Sequence, residues 1–120
     1  MMENHGNLKA RTKQFALRVI KLVRSLPNEP VAREIGKQLM RSGMSVGANY
    51  RAACRGRSPA EFRAKMGIVE EEADESAYWM ELLVEARIMK PSLLEDLRTE
   101  TNELVAITVS SIRNSKNNER

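Results

Sequence analysis

Cysteine, histidine and aromatic residues are nearly missing from this 120-residue chain, and each shortage removes a class of chemistry. The one cysteine, Cys54, has no partner for an internal disulfide, which fits a reducing compartment. The one histidine, His5, sits in a polar N-terminal stretch that reads as a disordered, passive leader. A di-metal bundle site built on Glu-x-x-His pairs, a Cys/His zinc site and a histidine-activated nucleophile therefore all lack their ligands or bases. One Trp, two Tyr and two Phe leave the basic stretches without interleaved rings on which bases stack. No apolar run approaches the ~20 residues of a membrane span, and Met1–Asn7 lacks the apolar centre of a signal peptide. The expectation is a soluble cytoplasmic protein that is not an enzyme, with no metal and no cofactor and no membrane contact.

What is present favours helices: much Ala, Leu, Glu, Arg and Met, with only four prolines and six glycines. Charge is divided unevenly along the chain. Met1–Ser58 holds twelve basic and three acidic residues (net +9), and Pro59–Arg120 holds eight and thirteen (net −5). Either two electrostatic faces result or one half neutralises the other within the fold. A polyanion meets the basic half first.

Apolar periodicity predicts one domain over 1–120 containing four helices, at about 8–26, 30–53, 58–89 and 92–112, and a frayed polar tail at 113–120. In the first helix Phe15, Val19, Leu22 and Leu26 repeat at four-three-four spacing, and Ala16, Ile20 and Val23 widen the apolar arc. Pro27-Asn-Glu-Pro30 separates helices one and two, because proline disfavours helix before it and suits a first turn. Ser58-Pro-Ala-Glu61 and Ser92-Leu-Leu-Glu95 read as capping boxes. Helices of this length joined by a few residues predict an antiparallel up-down-up-down four-helix bundle.

Gly36, Gly43 and Gly47 are seven and four apart, so they share a face of helix two. Each costs about 1 kcal/mol against alanine in a helix interior, and close packing against a neighbour would offset that loss. Taking helix three as the neighbour places Gly47 beside Met66 and Gly67, Gly36 beside Ala77, and Arg41 beside Glu72 as a buried ion pair. A phosphate-cradling loop is disfavoured, because no strand precedes these glycines and no Gly-Lys-Ser/Thr follows.

Glu70, Glu71, Glu72, Asp74 and Glu75 form an acidic cluster that reads as a solvated face with ion pairs to a basic neighbour rather than a Mg²⁺ or acid–base site. Cys54, near Arg51, Arg55 and Arg57, reads as a small packing residue rather than a reactive thiol. Trp79 lies off the main apolar stripe. It reads either as a subunit-contact anchor or as cover for the bundle's edge. Lys9, Arg11, Lys13, Arg18, Lys21 and Arg24 on helix one join Arg51, Arg55 and Arg57 as a basic set. Of these, Lys13, Arg18, Lys21, Arg24, Arg51, Arg55 and Arg57 are the candidate nucleic-acid contacts; a solvated basic surface is the plain alternative.

Arg41-Ser-Gly-Met-Ser-Val-Gly-Ala-Asn-Tyr50, Ser58-Pro-Ala-Glu-Phe62, Lys65-Met-Gly-Ile68 and Glu72-Ala-Asp-Glu-Ser-Ala-Tyr-Trp79 resemble the four-helix-bundle family of 23S rRNA intervening-sequence proteins. The resemblance runs from helix one to helix four. It implies a four-helix bundle assembling as a ring-like homopentamer, and relatives that serve diversity-generating retroelements by contacting nucleic acid and a reverse transcriptase. Met44 stands where a small polar residue is common, and Glu70-Glu-Glu72 where a basic residue often interrupts. Under this reading Ile20, Val105, Val109 and Trp79 are candidate subunit contacts. The functional expectation is a homo-oligomeric protein binding RNA or DNA backbone. The alternative is a protein-interaction scaffold or accessory factor for a nucleic-acid enzyme such as a reverse transcriptase.

Overall fold

Each of the four periodic stretches becomes a helix in the computed structural model, which describes residues 4–119 and, for side chains, residues from 7 onward. The helices are α1 (Asn4–Arg24), α2 (Pro30–Cys54), α3 (Pro59–Glu85) and α4 (Pro91–Asn118), with no strand among the described residues. Chain neighbours are spatial neighbours: α1 lies on α2, α2 on α3 and α3 on α4, while α1 touches α4 more thinly. The backbones of the other two pairs, α1 with α3 and α2 with α4, do not approach each other closely. The result is a rod of 51 × 22 × 21 Å.

Four helix ends are set by local chemistry; α2 starts at Pro30 as expected, and the other three lie away from the expected bounds. First, α1 begins at Asn4, so the backbone of the expected leader is helical from there; the side chain of His5 lies outside the described residues. Second, α2 is capped by Glu29, whose carboxylate accepts from the N–H groups of Val31 and Ala32 at 3.0 Å each. Third, α3 stops at Glu85 rather than Met89. Arg87 adopts a left-handed φ of 61°, and the N–H groups of Ile88 and Arg87 donate back to Leu83 and Val84 at 2.9 and 3.0 Å. These two bonds make a Schellman cap, with arginine where glycine is the usual occupant.

Fourth, the tail expected to fray is helical through Asn118. Arg63 on α3 holds it, donating to Ser115 Oγ at 3.2 Å and pairing with Glu119 at 2.6 Å. Of the two capping boxes only the serine half of the first forms. Ser58 Oγ accepts from Glu61 N–H at 3.1 Å, and Glu61 returns to the N–H of Arg57 rather than of Ser58. Ser92 is not a cap, since α4 starts one residue earlier, with Pro91 at its first position and Lys90 as an N-cap whose side chain makes no capping bond. Proline's fixed φ takes over the start that Ser92 was expected to make.

The core draws on all four helices: Leu8, Phe15 and Val19; Leu39, Val46 and Tyr50; Met66, Val69, Met80 and Leu83; Leu94 and Leu104. Burying each such side chain is worth about 1.5–3 kcal/mol. Thr12, Thr101 and Thr108 are buried without penalty because each hydroxyl donates to the carbonyl one turn back, at 2.8, 2.7 and 2.7 Å. No buried side-chain polar atom among the described residues lacks a partner.

The glycine face belongs to a different neighbour from the one expected. A Cβ on Gly36 would lie 3.0 Å from Leu26 Cδ1, one on Gly43 2.9 Å from Val19 Cγ2, and one on Gly47 3.2 Å from Thr12 Oγ1. Thr12 and Val19 belong to α1, as does Val23, 3.3 Å from the Gly36 position, and Leu26 follows just after the end of α1. Residue numbers fall along α1 as they rise along α2, so the two helices lie close together along this face. A Cβ on Gly67 would meet nothing within 4 Å, so it has no part in the crossing. The α2–α3 approach instead passes through Ser42 and Ser76, buried with their hydroxyls 2.9 Å apart.

Candidate nucleic-acid interface

The close α1–α2 approach leaves a trough. Around the point where Gly47 admits Thr12, it is lined by the small side chains of Ala10, Thr12, Ala16 and Ala48 and by Gly47, together with longer ones. The trough has a volume of about 520 Å³. Lys9 and Lys13, one turn apart on α1, edge one side, and Arg51 and Met44 of α2 edge the other. All four are exposed, and no carboxylate is among the lining residues. Three cations around a floor of small side chains can follow a run of phosphates while making few demands on base identity.

The remaining predicted contacts are distributed elsewhere. Arg18 and Lys21 line a second groove of about 980 Å³, where the end of α1 meets the α3–α4 joint, together with Lys90 and Asp96. Its apolar wall includes Leu22, Ile88, Met89 and Leu97, and it carries Leu93, which is 65% exposed. Arg24, Arg55 and Arg57 are exposed near helix ends and line neither groove. Lys90 was not anticipated as a groove cation; its only sequence signal is its position before Pro91 at a helix start.

Three arginines are bound internally, and of these only Arg41 was expected to be paired. Arg11 grips Glu100 with Nε at 3.0 Å and Nη2 at 2.7 Å, and reaches Glu103 at 2.9 Å. The hydrogen bonds to Glu100 push its pKa further up. Arg63 holds the end of α4, as described above. Arg41 does meet Glu72, at 3.3 Å, but its main partner is Glu75. The expected buried pair is in fact a surface one, since the Arg41 side chain is 49% exposed. Glu75 is held below its usual carboxylate range by Arg41 first and by the Trp79 indole second, whose Nε1–H donates to it at 3.0 Å.

Trp79 is half-buried and packs against the core, as does Val105, while Ile20 and Val109 are half-buried in the single chain. The most exposed large apolar side chains are others: Leu17, Val31, Met44, Tyr78 and Leu93. Cys54, expected as a packing residue, is exposed at the last turn of α2. Burial pushes the nearby Tyr50 hydroxyl well above its usual pKa, and its hydrogen bond with Cys54 adds to the shift. No group of acidic, histidine or cysteine side chains among the described residues is arranged to hold a metal ion. No described helix is long and apolar enough to cross a membrane.

Against known proteins, residues 7–110 match the model of a family described as 23S rRNA-intervening sequence protein. A crystal structure from Bacteroides thetaiotaomicron, a protein of unknown function from the S23 ribosomal protein family, is 34% identical. It superposes with a TM-score of 0.80 over 87% of this chain and 96% of that one. No curated protein matches the chain.

Proposed function

The chain belongs to the 23S rRNA-intervening sequence protein family, and from that premise we propose that it is a non-enzymatic, self-associating protein that binds RNA or DNA backbone through its basic surface. The observation that carries this reading is the α1–α2 trough, edged by Lys9, Lys13 and Arg51 with no carboxylate in its lining. Contact with phosphates releases counterions, so affinity falls steeply between ~50 and ~200 mM salt. Each of Lys13→Ala and Arg51→Ala reduces the slope of log affinity against log salt by about 1, with little dependence on sequence. Fluorescence anisotropy of a labelled structured RNA across that range measures both effects. A flat salt dependence, or no binding at the lowest salt, sinks the proposal.

The same reading places the protein in the cytoplasm as an antiparallel up-down-up-down bundle in a ring-like homopentamer. The falling and rising residue numbers across the α1–α2 contact support the antiparallel order. A second reading, a scaffold for a protein partner such as a nucleic-acid enzyme, is favoured by the half-apolar groove around Leu93. Co-purification of one protein after nuclease treatment, lost in Leu93→Glu, would select it.

A further inference from the structure

The outward faces of α1 and α3 are opposite in charge and alike in build. On α3, positions 64, 67, 71, 74, 78, 81 and 85 recur at three-four spacing and so line one side. Ala64, Glu71, Asp74, Tyr78, Glu81 and Glu85 there are all exposed, and the stripe has four carboxylates and no cation. Tyr78, at 51% exposure, is the large apolar side chain in its middle. On α1 the outward side carries Lys13, Leu17, Lys21 and Arg24, all exposed and without a carboxylate. Leu17, at 52% exposure, is its central apolar residue. Among the described residues, none of Lys21, Arg24, Glu71, Asp74 or Glu85 is taken up in an ion pair.

Within one molecule these stripes do not meet, since both are solvent-exposed and the backbones of α1 and α3 do not approach each other closely. They lie on diagonal helices and face away from each other. We infer that the basic outer stripe of α1 receives the acidic outer stripe of α3 from a second copy, with Leu17 and Tyr78 at the centre of the contact. The stripes are matched in length, ~16 Å for Lys13–Arg24 and ~21 Å for Glu71–Glu85 at the helical rise. Apolar centres supply the attraction that lasts, while the surrounding charges set partner choice and association rate.

Gly67 supports this arrangement. It sits in the α3 stripe with open space where its Cβ would be, so no packing inside the chain offsets its cost to the helix. An approaching helix would use that space. Because different patches pair, the contact is heterologous: each copy offers one α1 face and one α3 face, and the chain of contacts closes into a ring or runs on.

The inference rests on the self-association proposed above and names the surfaces that mediate it. The test uses the full chain and sedimentation velocity at low salt, with two charge-reversed sets: Lys21→Glu with Arg24→Glu, and Glu71→Lys with Asp74→Lys and Glu85→Lys. All five positions are exposed, and an unchanged far-ultraviolet circular dichroism spectrum confirms that both sets fold. The expected result has wild type larger than one chain, each reversed set at single-chain mass, and assembly regained as alternating, even-numbered complexes when the two sets are mixed, because each set then finds a complementary face only on the other. Reversed sets that keep the wild-type size overturn this inference and leave self-association standing. A wild type at single-chain mass at every concentration overturns both, and loss of RNA binding by the α1 set would then assign that face to nucleic acid.

Discussion

Gly43 and Gly67 both sit inside helices, yet replacing each with alanine is expected to move stability in opposite directions. At Gly67 the new methyl meets nothing of its own chain within 4 Å, so within the single chain only helix propensity changes and the fold gains about 1 kcal/mol. At Gly43 it would press on three carbons of Val19 at 2.9–3.2 Å. Valine on a helix holds essentially one rotamer, so Val19 cannot swing away. Overpacking of this kind costs about 1–3 kcal/mol, enough to cancel or exceed the propensity gain. Urea unfolding of Gly43→Ala, Gly67→Ala and the Gly43→Ala/Val19→Ala pair measures the effects; the second core change should recover part of the loss, and additive costs would refute the clash. Glu75 makes a different prediction. Its folded pKa lies below the usual 4.5, so its contribution is complete above that value and is lost as pH falls through the lowered one. Stability of Glu75→Gln should therefore decline less than that of wild type over the acid limb. That three glycines share a face was legible in the sequence; which helix they face was not. A helix in such a bundle has a neighbour on each side of its core stripe, and spacing alone does not choose between them.

At the scale of elements, the four helices could be read from periodicity because their apolar residues must all reach one core. Their ends depended on side-chain chemistry that periodicity does not carry. Glu29 is not among the preferred N-cap residues, yet its carboxylate reaches two N–H groups of α2. Arg87 turns the chain out of α3 in a conformation that costs a side chain about 1–2 kcal/mol. Arg87→Gly should recover about 1 kcal/mol in thermal or denaturant unfolding; a loss would mean that the arginine side chain makes a contact outweighing the strain. The end of α4 shows a long-range version of the same limit. The stretch 113–120 is polar and reads as a fraying tail, but Arg63, about fifty residues earlier, secures it through Ser115 and Glu119. Arg63→Ala is expected to lose amide-exchange protection in the last turn of α4 while the main unfolding transition moves little. Unchanged protection there would mean that the helix needs no anchor.

For the whole molecule, the uneven charge of the sequence becomes geometry. The strongly basic half of the chain forms α1 and α2, and the acidic half forms α3 and α4, so the rod carries its two signs on different sides. The sequence showed this division but not how many of its cations are free, because Arg11, Arg41 and Arg63 are spent on carboxylates far along the chain. What remains separates into the α1–α2 trough and the outer stripe of α1, which share Lys13 but otherwise draw on different residues. Arg51→Glu should weaken RNA binding and leave assembly intact, since Arg51 belongs to the trough alone. Reversal of Glu71, Asp74 and Glu85 should abolish assembly and leave each trough as it was. A short oligonucleotide that fits one trough should then bind that variant at least as tightly as wild type, since the reversal only adds positive charge. A long RNA that spans several copies should lose the gain from linked sites, which reaches 10²–10⁴-fold when geometry allows simultaneous contact. Anisotropy with both lengths on both variants reads the difference directly. If short and long RNAs weaken together when the α3 face is reversed, the trough and the stripe are not separate surfaces, and the division of labour between them is wrong.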